Sequence, residues 1–206
     1  MEQISTEIPV YIVVDSSQSV RSELISLISG MHLRTRVFES GEEFLASRPT
    51  IAGIMIYRYQ LRGMNGLELQ LNTEPLGLFL PSIMISGPIA PRVIKKALQN
   101  GCVDVVDEPI SVDEVRAAVQ AIVGSFHQQN KRYVTRQTAK SNIQALRPKD
   151  HEVLNLMLKG TTNKNIAYQL DVSIRTVEAR RQRIFRKMNA TSLVELVRLV
   201  DLARDL

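Results

Sequence analysis

The stretch NKNIAYQLDVSIRTVEARRQRIFRKM, Asn163 to Met188, predicts two short helices joined by a tight turn. Ile166, Ala167 and Leu170 recur at helical spacing, and Asp171 and Val172 break the pattern. Ser173 then stands as an N-cap for a helix from Arg175 to Met188. Two helices meeting at such a turn suit a DNA major groove, with the second lying in it.

That second helix has two faces. Thr176, Val177, Ile184 and Met188 fall on or near an apolar stripe, while Arg180, Arg181, Arg183, Arg186 and Lys187 crowd the remaining surface. Like charges at helical spacing repel by a few tenths of a kcal/mol per pair, and no acidic residue lies between Arg180 and Lys187 to offset them. A polyanion supplies the missing charge; a merely solvated basic face is the weaker reading.

The longer run LRPKDHEVLNLMLKGTTNKNIAYQLDVSIRTVEARRQRIFRKMNATSLVELV resembles the LuxR-type DNA-binding domain of NarL/FixJ-like regulators. The markers are E-V-L at Glu152 to Leu154, the Gly160 turn, N-K-x-I-A at Asn163 to Ala167, T-V-E at Thr176 to Glu178, and the K-M and S-L-x-E-L-V tail. The resemblance implies four helices, the third a recognition helix and the fourth, near Ser192 to Leu202, often a dimer contact. Two departures stand out. Arg147 occupies the N-cap usually held by Thr or Ser, at a cost of about 1 kcal/mol to the first helix, although Pro148 suits its first turn. Arg180 replaces a frequent His, adding a permanent charge and a fork suited to guanine or phosphate.

Within this domain Lys164, Ser173, Arg175, Thr176 and Arg181 are candidates for phosphate contacts, because helix N-termini and their flanks meet the backbone first. Glu178, Ala179, Gln182 and Arg183 are candidates for base edges. Glu178 suits cytosine N4 or an arginine it orients, and equally an intrahelical partnership with Gln182 or Arg181. Lys187 is a contact or a surface residue.

Charge is segregated along the 206 residues. Up to Gly124 there are 10 Lys/Arg against 14 Asp/Glu; from Ser125 on there are 16 against 7, for a net charge of +5 overall. A mildly acidic half joined to a basic half fits a control domain tethered to a DNA binder. No secretory leader or bilayer-length apolar run is evident, so a soluble cytoplasmic protein without membrane association is expected. The single cysteine, Cys102, reads as a small buried hydrophobe in preference to a redox sensor. His32, His127 and His151 are too scattered for a metal site, no cofactor is expected, and the absence of tryptophan disfavours stacking on unpaired bases.

The first half alternates strand and helix. Strands are predicted at Val10 to Val14, Thr35 to Phe38, Ile54 to Tyr57, Ser82 to Ile85 and Val103 to Val106. Helices are predicted at Val20 to Ser29, Gly41 to Ala46, Leu67 to Leu71, Val93 to Gln99 and Val112 to Val123. The implied fold is a five-stranded parallel sheet covered on both faces, flavodoxin-like, with function at the strand C-terminal ends, followed by a separate all-α four-helix helix-turn-helix domain. The expected division is 1–124, a polar Gln-rich linker at 125–142 that either extends the preceding helix or is coil, and 143–206.

The residues at those strand ends, with R-x-x-x-R-G-M-N-G-L-E-L after the third strand and P-S-I-x-I-S-G at the fourth, resemble the receiver domain of bacterial response regulators from about Pro9 to Gly124. The resemblance implies a pair of acids that bind Mg²⁺, a phospho-accepting Asp and a Lys that neutralises the phosphoryl group. This chain has Asp15 with Ser16 for the acid pair, Arg58 for the acceptor and Glu108 for the lysine; Ser86 keeps the switch hydroxyl and Val105 replaces the usual aromatic. An arginine is no nucleophile and repels Mg²⁺, so no aspartyl phosphorylation is expected. A semi-buried arginine needs an answering acid, so Arg58 is expected to pair with Glu108 or Asp15; a side chain swung into solvent is the alternative. No enzymatic activity is expected, since nothing activates Ser16 or Ser17 as a nucleophile.

These readings combine into a DNA-binding transcriptional regulator, a homodimer on paired half-sites, controlled by its abundance or by a regulatory protein or small molecule at the receiver. Arg92, Lys95 and Lys96 beside Asp104, Asp107 and Asp113 lie on the face that the resemblance implies for receiver pairing, with a merely solvated surface the equal alternative. The rival is an interaction module that titrates another regulator without useful DNA binding.

Overall fold

Alternate residues along each strand of the first half serve opposite faces of one sheet. In a computed structural model, which describes residues 8–14 and 18–204, β1 (Pro9–Val13), β2 (Arg34–Phe38), β3 (Ile54–Arg58), β4 (Ser82–Ser86) and β5 (Cys102–Asp107) pair in parallel in the order β2-β1-β3-β4-β5. Val10, Ile12, Ile54, Ile56, Ile83 and Ile85 pack on one side against α1 (Gln18–Gly30) and α5 (Val112–Gln144), through Leu24, Ile28, Val115 and Val119. Tyr11, Val13, Met55, Tyr57 and Met84 point the other way, onto Phe44 of α2 (Gly41–Ala46), Leu69 of α3 (Gly66–Leu71) and Ala97 of α4 (Pro91–Gln99). Burial on both faces is what parallel crossovers demand, and the strand order is the flavodoxin-like one whose sites lie beyond the strand C-termini.

Two details position the pocket. The start of α3 is pressed so close to β3 that a β-carbon at Gly66 would collide with the Arg58 carbonyl oxygen and the Tyr57 ring. Asn65 closes the same turn as an N-cap, with Glu68 returning its side chain to the Asn65 backbone in a capping box.

The contacts divide the chain into two compact units, Met1–Asn130 and Lys131–Leu206. Helix α5 continues unbroken to Gln144, so residues 125–142 are helical. Phe126 packs in the core of the first unit, whereas Ala139 and Leu146 pack in that of the second. In the second unit α6 (Pro148–Leu158), α7 (Asn163–Gln169), α8 (Ile174–Met188) and α9 (Leu193–Arg204) surround Val153, Leu154, Met157, Ile166, Val177, Ile184, Met188, Leu196 and Val200.

Local chemistry sets the helix limits. Thr162 and Ser173 cap α7 and α8 by accepting from Asn165 N and Thr176 N at 3.4 and 3.1 Å. Between them the chain reverses through Asp171 at φ 49°, a left-handed conformation that Asp tolerates better than most residues. Gly160, at φ 74°, ends α6, and Thr161 N returns to the Leu156 carbonyl at 3.1 Å. Arg147 is the N-cap of α6 and makes no side-chain capping bond; Pro148 occupies the first turn.

Candidate regulatory pocket and nucleic-acid interface

Arg58 is the last residue of β3 and Glu108 follows the last residue of β5, with β4 between them. Strands two apart are separated by about 10 Å, a gap that one long side chain can close. The Arg58 guanidinium lies across it: Nε donates to Glu108 Oε1 at 2.6 Å and Nη2 to Oε2 at 2.9 Å. The side chains are 17% and 25% exposed, so the fork is largely withdrawn from water. A planar two-point bond of this kind fixes orientation as well as neutralising charge. Glu108 is itself held by its backbone, whose N–H donates to the Ser86 carbonyl at 3.0 Å. The buried Ser86 hydroxyl donates to the Gly87 carbonyl at 2.9 Å, and half-buried Val105 packs against the α2–α4 side of the core. Asp15 and Ser16 lie outside the described residues.

On α8 the inward stripe is Val177, Arg180, Ile184 and Met188. Arg180 is only 9% exposed, so the residue read as an open fork is set on the core side of the helix. The spacing carried the signal, since Arg180 stands three residues after Val177 and four before Ile184. Arg181 lies with its guanidinium 6.0 Å from the Phe185 ring centroid, one turn along. Arg183 donates from Nε and Nη2 to the two Asp150 oxygens, both at 3.0 Å, and this bond raises its pKa above the ordinary value. Asp150 is on the buried side of α6, three and four residues before Val153 and Leu154. A carboxylate on an apolar stripe implies a cationic partner, the clue that would have found this pair.

Arg175, Glu178, Ala179, Gln182 and Arg186 remain exposed on the outer face of α8, with Ser173 exposed at its start and Lys187 near its end. Thr176 and Arg181 are partly covered, and Lys164 is exposed on α7. Arg186, four residues beyond Gln182, joins this surface although it was not among the expected contacts.

The bacterial regulatory proteins of the luxR family (GerE) match residues 144–200. The response regulator TodT of Pseudomonas putida is 30% identical over 206 residues, covering 100% of this chain and 91% of the relative. The chain belongs to the NarL/FixJ-type response regulators. The transcriptional regulatory protein FixJ of Azorhizobium caulinodans is 32% identical over 197 residues, covering 95% of this chain and 93% of the relative. Among solved structures, that of the response regulator StyR shares 26% identity at a TM-score of 0.65, covering 94% of this chain and 98% of that one.

This response regulator therefore combines a receiver fold with a LuxR-type DNA-binding domain for transcription regulation. Among the described residues no helix is long and apolar enough to cross a membrane. Within the receiver fold, Arg58 at the end of β3 and Glu108 just after β5 are bound to each other.

Proposed function

We propose that this chain is a sequence-specific double-stranded DNA-binding regulator whose receiver works without aspartyl phosphorylation. The observation that carries this reading is the two-point bond between Arg58 and Glu108. It occupies the strand-end region where phosphotransfer would need a carboxylate nucleophile and donors for the transferring oxygens. The pocket does not suit Mg²⁺ either, because a guanidinium repels the cation and the nearby Glu108 carboxylate is already engaged. Control then falls to abundance, or to a partner or ligand that favours one of two receiver states.

For DNA, Lys164, Ser173, Arg175, Thr176 and Arg181 are assigned to the backbone, with Arg186 and Lys187 flanking them. Glu178, Ala179 and Gln182 are assigned to base edges. A homodimer on paired half-sites is favoured by the α4–β5 surface, where Leu98 and Val103, 47% and 49% exposed, lie among Arg92, Lys95, Lys96, Asp104, Asp107 and Asp113. A surface holding both charges around an apolar centre can match a second copy of itself.

Selection of genomic fragments by the full chain over a salt series tests this. A small set of fragments with paired half-sites should survive salt that strips the rest. Loss of all fragments together contradicts specific reading and favours a module that titrates another regulator; single half-sites contradict pairing.

A further inference from the structure

Asp150 is 3% exposed and sits among Val153, Leu154 and Met157 on the inner side of α6. Its charge is answered by Arg183 of α8, whose two donors meet the two carboxylate oxygens at equal distance. Removing either partner leaves a buried or half-buried charge uncompensated. We propose that Arg183 is a positioning residue: clamped to Asp150, it sets the roll of α8 about its axis, and the bases are read by its neighbours Glu178, Ala179 and Gln182. The inference rests on the DNA-binding reading above.

Val177, Ile184 and Met188 bury the inner stripe of α8 and fix its depth. Apolar contact is non-directional, however, and resists rotation weakly. A two-point Arg–carboxylate bond is directional and spans α6 and α8. Side chains extend about 5–6 Å from a helix axis, so a roll of about 10° displaces the outer tips by about 1 Å, enough to spoil a base hydrogen bond. For Arg183 to turn this fork edge toward a base, the pair would have to open and strand Asp150 in the core.

The test uses the full chain, the fragment it binds most tightly, and versions of that fragment with single base pairs changed. Asp150→Asn keeps Arg183 and its charge. It is expected to weaken binding to the preferred fragment about tenfold and to flatten discrimination at all positions together, with unchanged salt slope and non-specific binding. Arg183→Gln should lose discrimination in the same pattern, and the double variant, whose two amides can bond to each other, should do no worse than either single change.

The inference is overturned if Asp150→Asn binds like the parent while Arg183→Gln loses discrimination at one base pair, which is the signature of direct reading. A fall of about one in salt slope confined to Arg183→Gln overturns it too, by making Arg183 a phosphate contact. Should Asp150→Asn melt the domain, Asp150→Glu, which keeps the charge and shifts the guanidinium by a methylene, takes its place: loss of discrimination at all positions supports the clamp and full retention refutes it. If the parent prefers no fragment, the DNA-reading proposal fails and this one falls with it.

Discussion

Glu108→Gln leaves Arg58 facing a neutral amide where two carboxylate oxygens stood, in a site where the Arg58 side chain is 17% exposed. A loss of about 1–3 kcal/mol is expected, measured as a lower urea midpoint for the receiver transition, because a partly buried charge is then under-compensated. Arg58→Met with Glu108→Gln should cost less than the sum of the single changes, since the double variant strands no charge. An unchanged midpoint in Glu108→Gln would mean that the pair contributes nothing. At this scale the sequence narrowed the partner of Arg58 to Glu108 or Asp15, with a solvent-facing side chain as the alternative, and the choice of Glu108 came from the structure. Arg180 and the Asp150–Arg183 pair were not read, because common surface residue types hid their positions on buried stripes. Asp150 and Arg183 are also 33 residues apart, so no local spacing links them.

Helix α6 begins without a side-chain cap, since Arg147 makes no capping bond to its free N–H groups. Arg147→Thr is expected to stabilise the second unit by about 1 kcal/mol, seen as a higher denaturant midpoint for that transition and no change in the other. A drop would mean that the Arg147 side chain supports the fold in another way. Strands and helices were largely visible in the alternation of apolar residues, and strand periodicity in Val10 to Val14 or Ser82 to Ile85 leaves little choice when both faces are covered. The run from Ser125 to Asn142 was open, because a polar segment free of Pro and Gly permits helix without requiring it. Burial decides it: Phe126 and Ala139 each find a core, and tertiary packing stabilises a helix more than propensity does.

Taken whole, the molecule joins an acidic receiver to a basic DNA-binding domain, and an internal Arg58–Glu108 ion pair lies at the strand ends of the receiver. Fold and family followed from pattern and motif. The DNA-facing surface was only partly readable, because its composition is evident from the sequence but the rotation of α8 depends on partners in α6. The most direct measurement is intact mass spectrometry of the full chain after incubation with acetyl phosphate and Mg²⁺, with binding to its preferred DNA fragment recorded on the same sample. No added phosphoryl group and an unchanged binding curve are expected; a stoichiometric phosphoryl gain, lost on substituting a receiver residue and accompanied by altered DNA affinity, would contradict a phosphorylation-independent receiver.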